Sequence, residues 1–258
     1  MTTFEIWTWS DFVGSKFDSN MNKNADFLSK RYMSRVPRLD FPDTIYHVFT
    51  RGVRQAPIFH DDEDRWRFMS SLKRAQNRHS FDLLTYSLMT NHYHLELKTI
   101  DEKLSTSMHY LNLLYAGYYN DRYKQGGHVF QGRYHSIVVE QSTYLLRLSR
   151  YIHLNASKAG MVAKPEDYPW SSYNAYLGKV NDPLVKPQLV LDTLEPDVIR
   201  QQESYRKFVE DSLPNEENLS DRMLLKTKIF GSSDFHGKIF RKARALGLWL
   251  PSTGNSYV

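Results

Sequence analysis

Between residues 44 and 160 the apolar positions alternate between a period of two and a period near 3.6. TIYHVFTRG, Thr44 to Gly52, is β-branched and aromatic and closes on glycine, which predicts a strand. The acidic-to-basic run HDDEDRWRFMSSLKRAQNR predicts a helix capped by Asp61 or Asp62, with Trp66, Phe68, Met69 and Leu72 on its apolar side. SFDLLTYSLM and HYHLELKT flank a Thr90-Asn91 turn and predict a hairpin. A helical period returns from Lys103 to Tyr123 on Leu104, Met108, Leu111, Leu114, Tyr115 and Tyr118, with Gly126-Gly127 expected to end it. Tyr134 to Glu140 predicts a further strand. QSTYLLRLSRYIHLNASKAG predicts a helix with Ser142 as its cap and Gly160 beyond its end.

The order β, α, β, β, α, β plus one helix predicts an α+β protein with a ferredoxin-like split βαβ core, an antiparallel sheet with helices on one face. Residues 1–32 show no sustained period and read as a weakly structured extension, and 33–178 read as the main domain. Met33 opens MSRVPRLDF, which reads as a natural start; an N-terminal mass of the native protein decides it. Residues 179–258 read as a helical accessory region. Helices are expected over Asp197 to Leu213, Asn218 to Phe230 and Ser233 to Leu246 after a proline-containing passage. These helices are expected to pack on the core, with DNA contact through Lys238, Arg241, Lys242 and Arg244 as the alternative.

Composition narrows the chemistry. The absence of cysteine excludes disulfide scaffolds, thiolate zinc sites and cysteine nucleophiles, and it suits a reducing cytosol. No apolar run approaches a membrane span and the N-terminus lacks a secretory pattern, so a cytoplasmic protein is expected. The net charge of +5 leans towards a polyanionic partner. Met33 to Gly178 holds 18 Lys and Arg against 14 Asp and Glu, and nine of the ten histidines. The 17 tyrosines supply core mass and also surfaces on which unpaired bases stack.

In the strand HYHLELKT, His92 and His94 point the same way, with Tyr93 and Leu95 on the other face. Two imidazoles on one face form half of a metal site, or simply a hydrogen-bonding pair. Glu96 shares that face; it is expected in solvent at the strand end, with joining the pair as the alternative. On the last core helix Tyr151 and Asn155, four apart, share a face. Laid beside the histidine strand, that helix could bring a phenol and an amide oxygen to the two imidazoles. A mixed N/O shell of two His and one Asn suits Mg²⁺ or Mn²⁺. The plain alternative for Tyr151 is a half-buried packing tyrosine.

Several of these segments carry a family resemblance. LMTNHYHLELKT resembles the L-M-P-N-H-x-H-L strand of single-tyrosine transposases, the HUH class in which His–hydrophobic–His binds a divalent metal. GGHVFQGRYHSIVVE, YLLRLSRYIHLNASKAGMV and YPWSSYNAYLG resemble, in order, signatures of the REP-associated tyrosine transposases, over roughly Arg35 to Gly178. The resemblance implies His92, His94 and Asn155 as metal ligands for Mg²⁺ or Mn²⁺ and Tyr151 as nucleophile. It implies single-stranded or hairpin DNA as partner, with Arg133 of the loop signature meeting substrate phosphate, and a nucleoid-associated protein of bacterial type. Lys158 keeps the charge of the family's arginine; Arg51 and His135 are further candidate DNA contacts, with a solvated turn arginine and a plain loop histidine as the alternatives. Cleavage through a 5′-phosphotyrosine and rejoining of strands follow, by a monomer or a homodimer. The departures are Thr90 for Pro, Ala156 for Pro, Lys158 for Arg, and Glu96 for an apolar residue. None removes a catalytic group. A catalytically idle hairpin-binding regulator and a hydrolytic metal nuclease are the competing readings. Tyr115, Tyr118 and Tyr119, at helical spacing, are expected mainly in the core.

Overall fold

Alternation splits TIYHVFTR and HYHLELKT between two faces, and the register of the sheet decides which residues then meet. A computed structural model describes residues 38–211, 219–220, 224–225 and 228–248, so the predicted extension over residues 1–32 lies outside the described residues. β1 (Thr44–Arg51), α1 (Asp62–Arg78), β2 (Phe81–Leu88), β3 (His92–Thr99), α2 (Leu104–Tyr123) and β4 (His135–Val139) follow in the predicted order. The strands lie in the order β2-β3-β1-β4, each antiparallel to its neighbour. β3 therefore lies between β1 and β2, the two strands that α1 connects, which is the split βαβ arrangement.

The two faces are covered by different helices. Tyr93 of β3 packs on Phe68 of α1 at 4.8 Å between centroids and donates to Asn112 Oδ1 of α2 at 2.8 Å. His94, the next residue, meets Tyr151 of α3 (Thr143–Lys158) on the opposite side. The expectation of helices on one face thus holds for the crossover helices α1 and α2, while α3 takes the other face. Its own sequence explains this: Leu145, Leu148 and Ile152 form an apolar side that is fully buried.

Local chemistry sets the helix ends. Asp61 caps α1, its carboxylate accepting from the Asp64 amide at 3.1 Å, and Asp62, Glu63 and Asp64 place negative charge at the positive end of the dipole. Trp66 departs from the expected apolar side: it is 66% exposed and stands edge-on to Trp170 at 5.0 Å, because its helix face looks away from the sheet. α2 ends before its glycines, with Lys124 taking the left-handed position at φ 51° and its amide donating to Asn120 O. Ser142 caps α3 as predicted, and Gly160 beyond it sits at φ 69°.

The C-terminal region differs more. α4 (Tyr173–Tyr176), α5 (Gln188–Leu194), α6 (Gln201–Glu210) and α7 (Ser233–Ala245) are present. Within the predicted helix Asn218 to Phe230, however, Ile229 and Phe230 form β5, which pairs parallel with Val138 and Val139. A buried Ile-Phe pair lengthens the sheet beyond β4 and removes an exposed edge, a tertiary gain that helical period cannot reveal. Glu140 then fixes the start of α7, accepting from Ser232 N at 2.7 Å and Ser232 Oγ at 3.1 Å. α7 packs back on the core: the Lys242 ammonium lies 4.9 Å from the Phe41 ring centroid.

Candidate active site

Register assembles the site. Arg51 of β1 lies opposite His92 of β3, Phe49 opposite His94, and His47 opposite Glu96. Phe49 also faces His135 of β4. These residues share the α3 side of the sheet. A row of rings crosses it, with His94 and Phe49 5.7 Å apart and Phe49 and His135 5.0 Å apart, all near-parallel. His92 and His94 are perpendicular neighbours at 5.0 Å. Tyr151 stands edge-on to His94, at 5.5 Å and 88°. It is buried, 6% exposed.

The donor set fits a small divalent ion. Asn91 Oδ1 takes His92 Nδ1 at 2.7 Å, and His47 Nε2 meets His94 Nδ1 at 2.9 Å. Each ring is thereby oriented through Nδ1, the arrangement by which a metal-binding histidine presents Nε2. Asn155 is half-buried, one turn beyond Tyr151 on the same helix. Among the described residues no three His, Cys, Asp or Glu side chains converge as a metal cage. The structure brings the two imidazoles together on one face, and Asn155 is the carboxamide on the helix that faces them.

Two residues change role. Glu96 was expected in solvent; it is fully buried, because α3 and Tyr176 cover that end of β3. Burial pushes its carboxyl up to about 8, opposed by the Thr85 hydroxyl on the paired strand. No ion pair reaches it among the described residues. His47 went unmarked in the sequence and is also fully buried, its ring stacked on His94 at 5.1 Å. Burial, then the neighbouring His94, holds its pKa well below the ordinary value. The signal was there in part: in TIYHVFTR, His47 alternates with Phe49 and Arg51, but only the β1–β3 register brings it to His94.

Cations gather at the β4 side. His135 is held below its ordinary pKa by burial and then by Lys228, Arg51 and Arg38. Lys228, lowered by partial desolvation although much of its surface is open, is crowded by Arg38 and Arg133. Arg38 lies 3.9 Å over the Tyr134 ring and donates to Tyr134 O at 3.3 Å. The structure thus brings Arg51, Arg133 and His135 together and adds Arg38 and Lys228, which sequence reasoning missed. Lys158 is exposed in the last turn of α3, three residues beyond Asn155. Tyr118, Tyr119 and Tyr123 of α2 lie on the far side of the sheet, bonded to Asp64 and Pro57.

Behind Tyr151, α3 is anchored by a one-way chain of hydrogen bonds. Tyr205 of α6 donates to Ser149 Oγ at 3.0 Å and accepts from His153 Nδ1 at 2.9 Å, while Ser172 Oγ meets His153 Nε2 at 2.8 Å. Burial lowers the His153 pKa to about 3 and so keeps the imidazole neutral. The unfolded chain takes up this proton first, near pH 6.5. The anchor's contribution is therefore full above that pH and declines as pH falls towards 3, by roughly 1.4 kcal/mol per unit. Between pH 7 and 5 the native protein should lose about 2 kcal/mol more stability in urea titrations than His153→Gln. Equal losses would contradict this.

Residues 41–155 match the family model described as "Transposase IS200 like". Over those residues, rather less than half of the chain, the sequence is similar to that transposase family. One similar solved structure is a REP-associated tyrosine transposase bound to a REP hairpin, at 12% identity and TM-score 0.49, covering 60% of this chain and 98% of that one. Another is the tRNA(His) guanylyltransferase of Saccharomyces cerevisiae, at 12% identity and TM-score 0.36, covering 72% and 79%. No curated protein sequence matches significantly. No helix among the described residues is long and apolar enough to cross a membrane.

Proposed function

We propose that this chain cuts and rejoins single-stranded DNA beside hairpins by tyrosine attack, with residues 33–178 as the catalytic unit and 179–258 as an accessory region that backs α3. The observation that carries this reading is Tyr151, edge-on to His94 and one helical turn from Asn155, inside the segment that matches the transposase family. The hairpin substrate follows from the sequence resemblance.

His92, His94 and Asn155 would hold the ion, Mg²⁺ or Mn²⁺. When bound, it supplies charge neutralisation and Lewis-acid polarisation of the scissile phosphate. Tyr151 Oη attacks phosphorus in line, forming a 5′-phosphotyrosine bond as the bond to the 3′-oxygen breaks; the phenolic proton is lost and the 3′-oxygen leaves as a hydroxyl. Attack by that hydroxyl, or by another strand's, reverses the step without ATP. Arg133, Arg51, His135, Arg38 and Lys228 form the phosphate-gripping edge, and Lys158 a further contact beyond Asn155, so binding weakens steeply with salt. The active form is a monomer or a homodimer, and the meeting of Tyr151 and His94 within one chain supports the monomer.

With Mg²⁺ or Mn²⁺, a 3′-labelled hairpin oligonucleotide should transfer its label to the protein, and a 5′-labelled one should yield a fragment ending in a 3′-hydroxyl. Cutting with oxygen from labelled water in the product would identify a hydrolytic nuclease. Tight binding with no cutting under either ion would identify an idle hairpin-binding protein.

A further inference from the structure

We propose that His47 and Glu96 are positioning residues: His47 holds the His94 ring in the one tautomer that presents Nε2 to the ion, and Glu96 accepts from His47 in turn. This rests on the reading of His94 as a metal ligand. The argument is a count of protons. A neutral imidazole carries a single N–H. If His94 binds through Nε2, its proton is on Nδ1, and that nitrogen lies 2.9 Å from His47 Nε2. His47 Nε2 must then accept, which places the only proton of His47 on Nδ1. With the opposite polarity, His47 Nε2–H would donate to His94 Nδ1 and put the His94 proton on Nε2, where a metal could not bind.

The far end of this pair is the decisive feature. His47 Nδ1 is buried without a hydrogen-bond partner, and so are both carboxyl oxygens of Glu96. A buried donor and a buried acceptor group left in this way each cost free energy, and such exceptions call for an explanation. His47 and Glu96 are directly opposite in the β1–β3 register and on the same face. Opposed residues of an antiparallel pair have Cβ atoms about 4.5–5.5 Å apart, within reach of an imidazole and a carboxylate. Of the hydroxyls nearest Glu96, Tyr176 Oη is engaged with Leu84 O at 2.8 Å, and Thr85 Oγ1, which faces the carboxyl, also meets Tyr176 Oη at 3.0 Å. In the structure the two groups are not hydrogen-bonded to each other; a turn of the Glu96 side chain makes its carboxyl the acceptor that the His47 proton needs. The three residues then form a line, Glu96–His47–His94, running from the interior to the site. The unexpected carboxylate after the histidine pair acquires a role that requires no direct contact with the ion.

Mn²⁺ binding to the full-length protein, followed by electron paramagnetic resonance without DNA, tests the line. His47→Leu should weaken Mn²⁺ affinity ten- to hundredfold, and Glu96→Leu about tenfold, as outer partners of metal-binding histidines do. His47→Gln, whose carbonyl can still accept from His94 Nδ1–H, should return to within about threefold of the native value. Native affinity in His47→Leu, with His94→Ala unable to bind, would overturn the proposal alone. Native affinity in His94→Ala would overturn the metal-ligand reading beneath it. Should His47→Leu fail to fold, long-range ¹⁵N–¹H correlation on the native protein decides. Protons on Nδ1 of both His94 and His47 support the line, and a proton on His47 Nε2 refutes it.

Discussion

Tyr151→Phe is expected to abolish covalent attachment to hairpin DNA, by at least about three orders of magnitude, while hairpin affinity stays within about twofold. The substitution removes the attacking oxygen and nothing else of size. The ring that stands edge-on to His94 and His47 remains, at 5.5 and 6.3 Å, so α3 keeps its seat on the sheet. Loss of one hydroxyl's hydrogen bonding costs the fold about 1 kcal/mol. Among the described residues these phenols do not replace it: Tyr118, Tyr119 and Tyr123 are bonded on the other side of the sheet, and Tyr205 donates to Ser149 beneath the helix. A gel assay for protein–DNA adducts, run beside an affinity titration, checks both halves of the expectation. Loss of binding along with cleavage would show that Tyr151 shapes the groove instead of performing the attack.

Asp64→Ala should cost about 3–5 kcal/mol, the largest stability loss expected from a single charged residue of this chain. Asp64 is fully buried where α1 starts and α2 ends. Its carboxylate accepts from Arg122 Nη1 at 2.7 Å, Tyr123 Oη at 2.7 Å, Tyr118 Oη at 3.0 Å and the His60 amide at 2.8 Å. Truncation leaves a guanidinium and two phenols without the acceptor around which they are arranged. Asp61→Ala, which loses a cap and a largely exposed pair with Arg122, should cost about 1 kcal/mol. Urea unfolding compares the two. Because the cluster lies away from α3, Asp64→Ala should still form DNA adducts at low temperature. A loss below about 1 kcal/mol would mean that the cluster stabilises nothing.

Asp64 also marks where sequence stops being informative. That Asp61 or Asp62 caps α1 is written in three or four neighbouring residues, and so it was legible; the structure gives Asp61. That Asp64, three positions on, serves as the hub of two helices depends on α2 arriving from 40 residues away. The same division holds at the site. Within-element relations could be read directly: His92 beside His94 from strand alternation, Tyr151 above Asn155 from helical period. Relations between elements could not. His47 became a neighbour of His94 only through strand register, and Glu96 became buried only when α3 and Tyr176 closed over it. Ile229 and Phe230 read as the end of a helix because nothing local announces that β4 has an edge to fill. Lys124 in a left-handed conformation, with two glycines just downstream, was hidden for a similar reason: the chain turns where packing of α2 ends.

The central claim is that one identified oxygen becomes bonded to DNA. Its most direct test is tandem mass spectrometry of the trapped adduct, after nuclease trimming and proteolysis. The account predicts a nucleotide mass added to the peptide that contains Tyr151, with fragment ions placing it on that residue. Attachment to any other tyrosine, or a cut strand with no modified peptide, would contradict it.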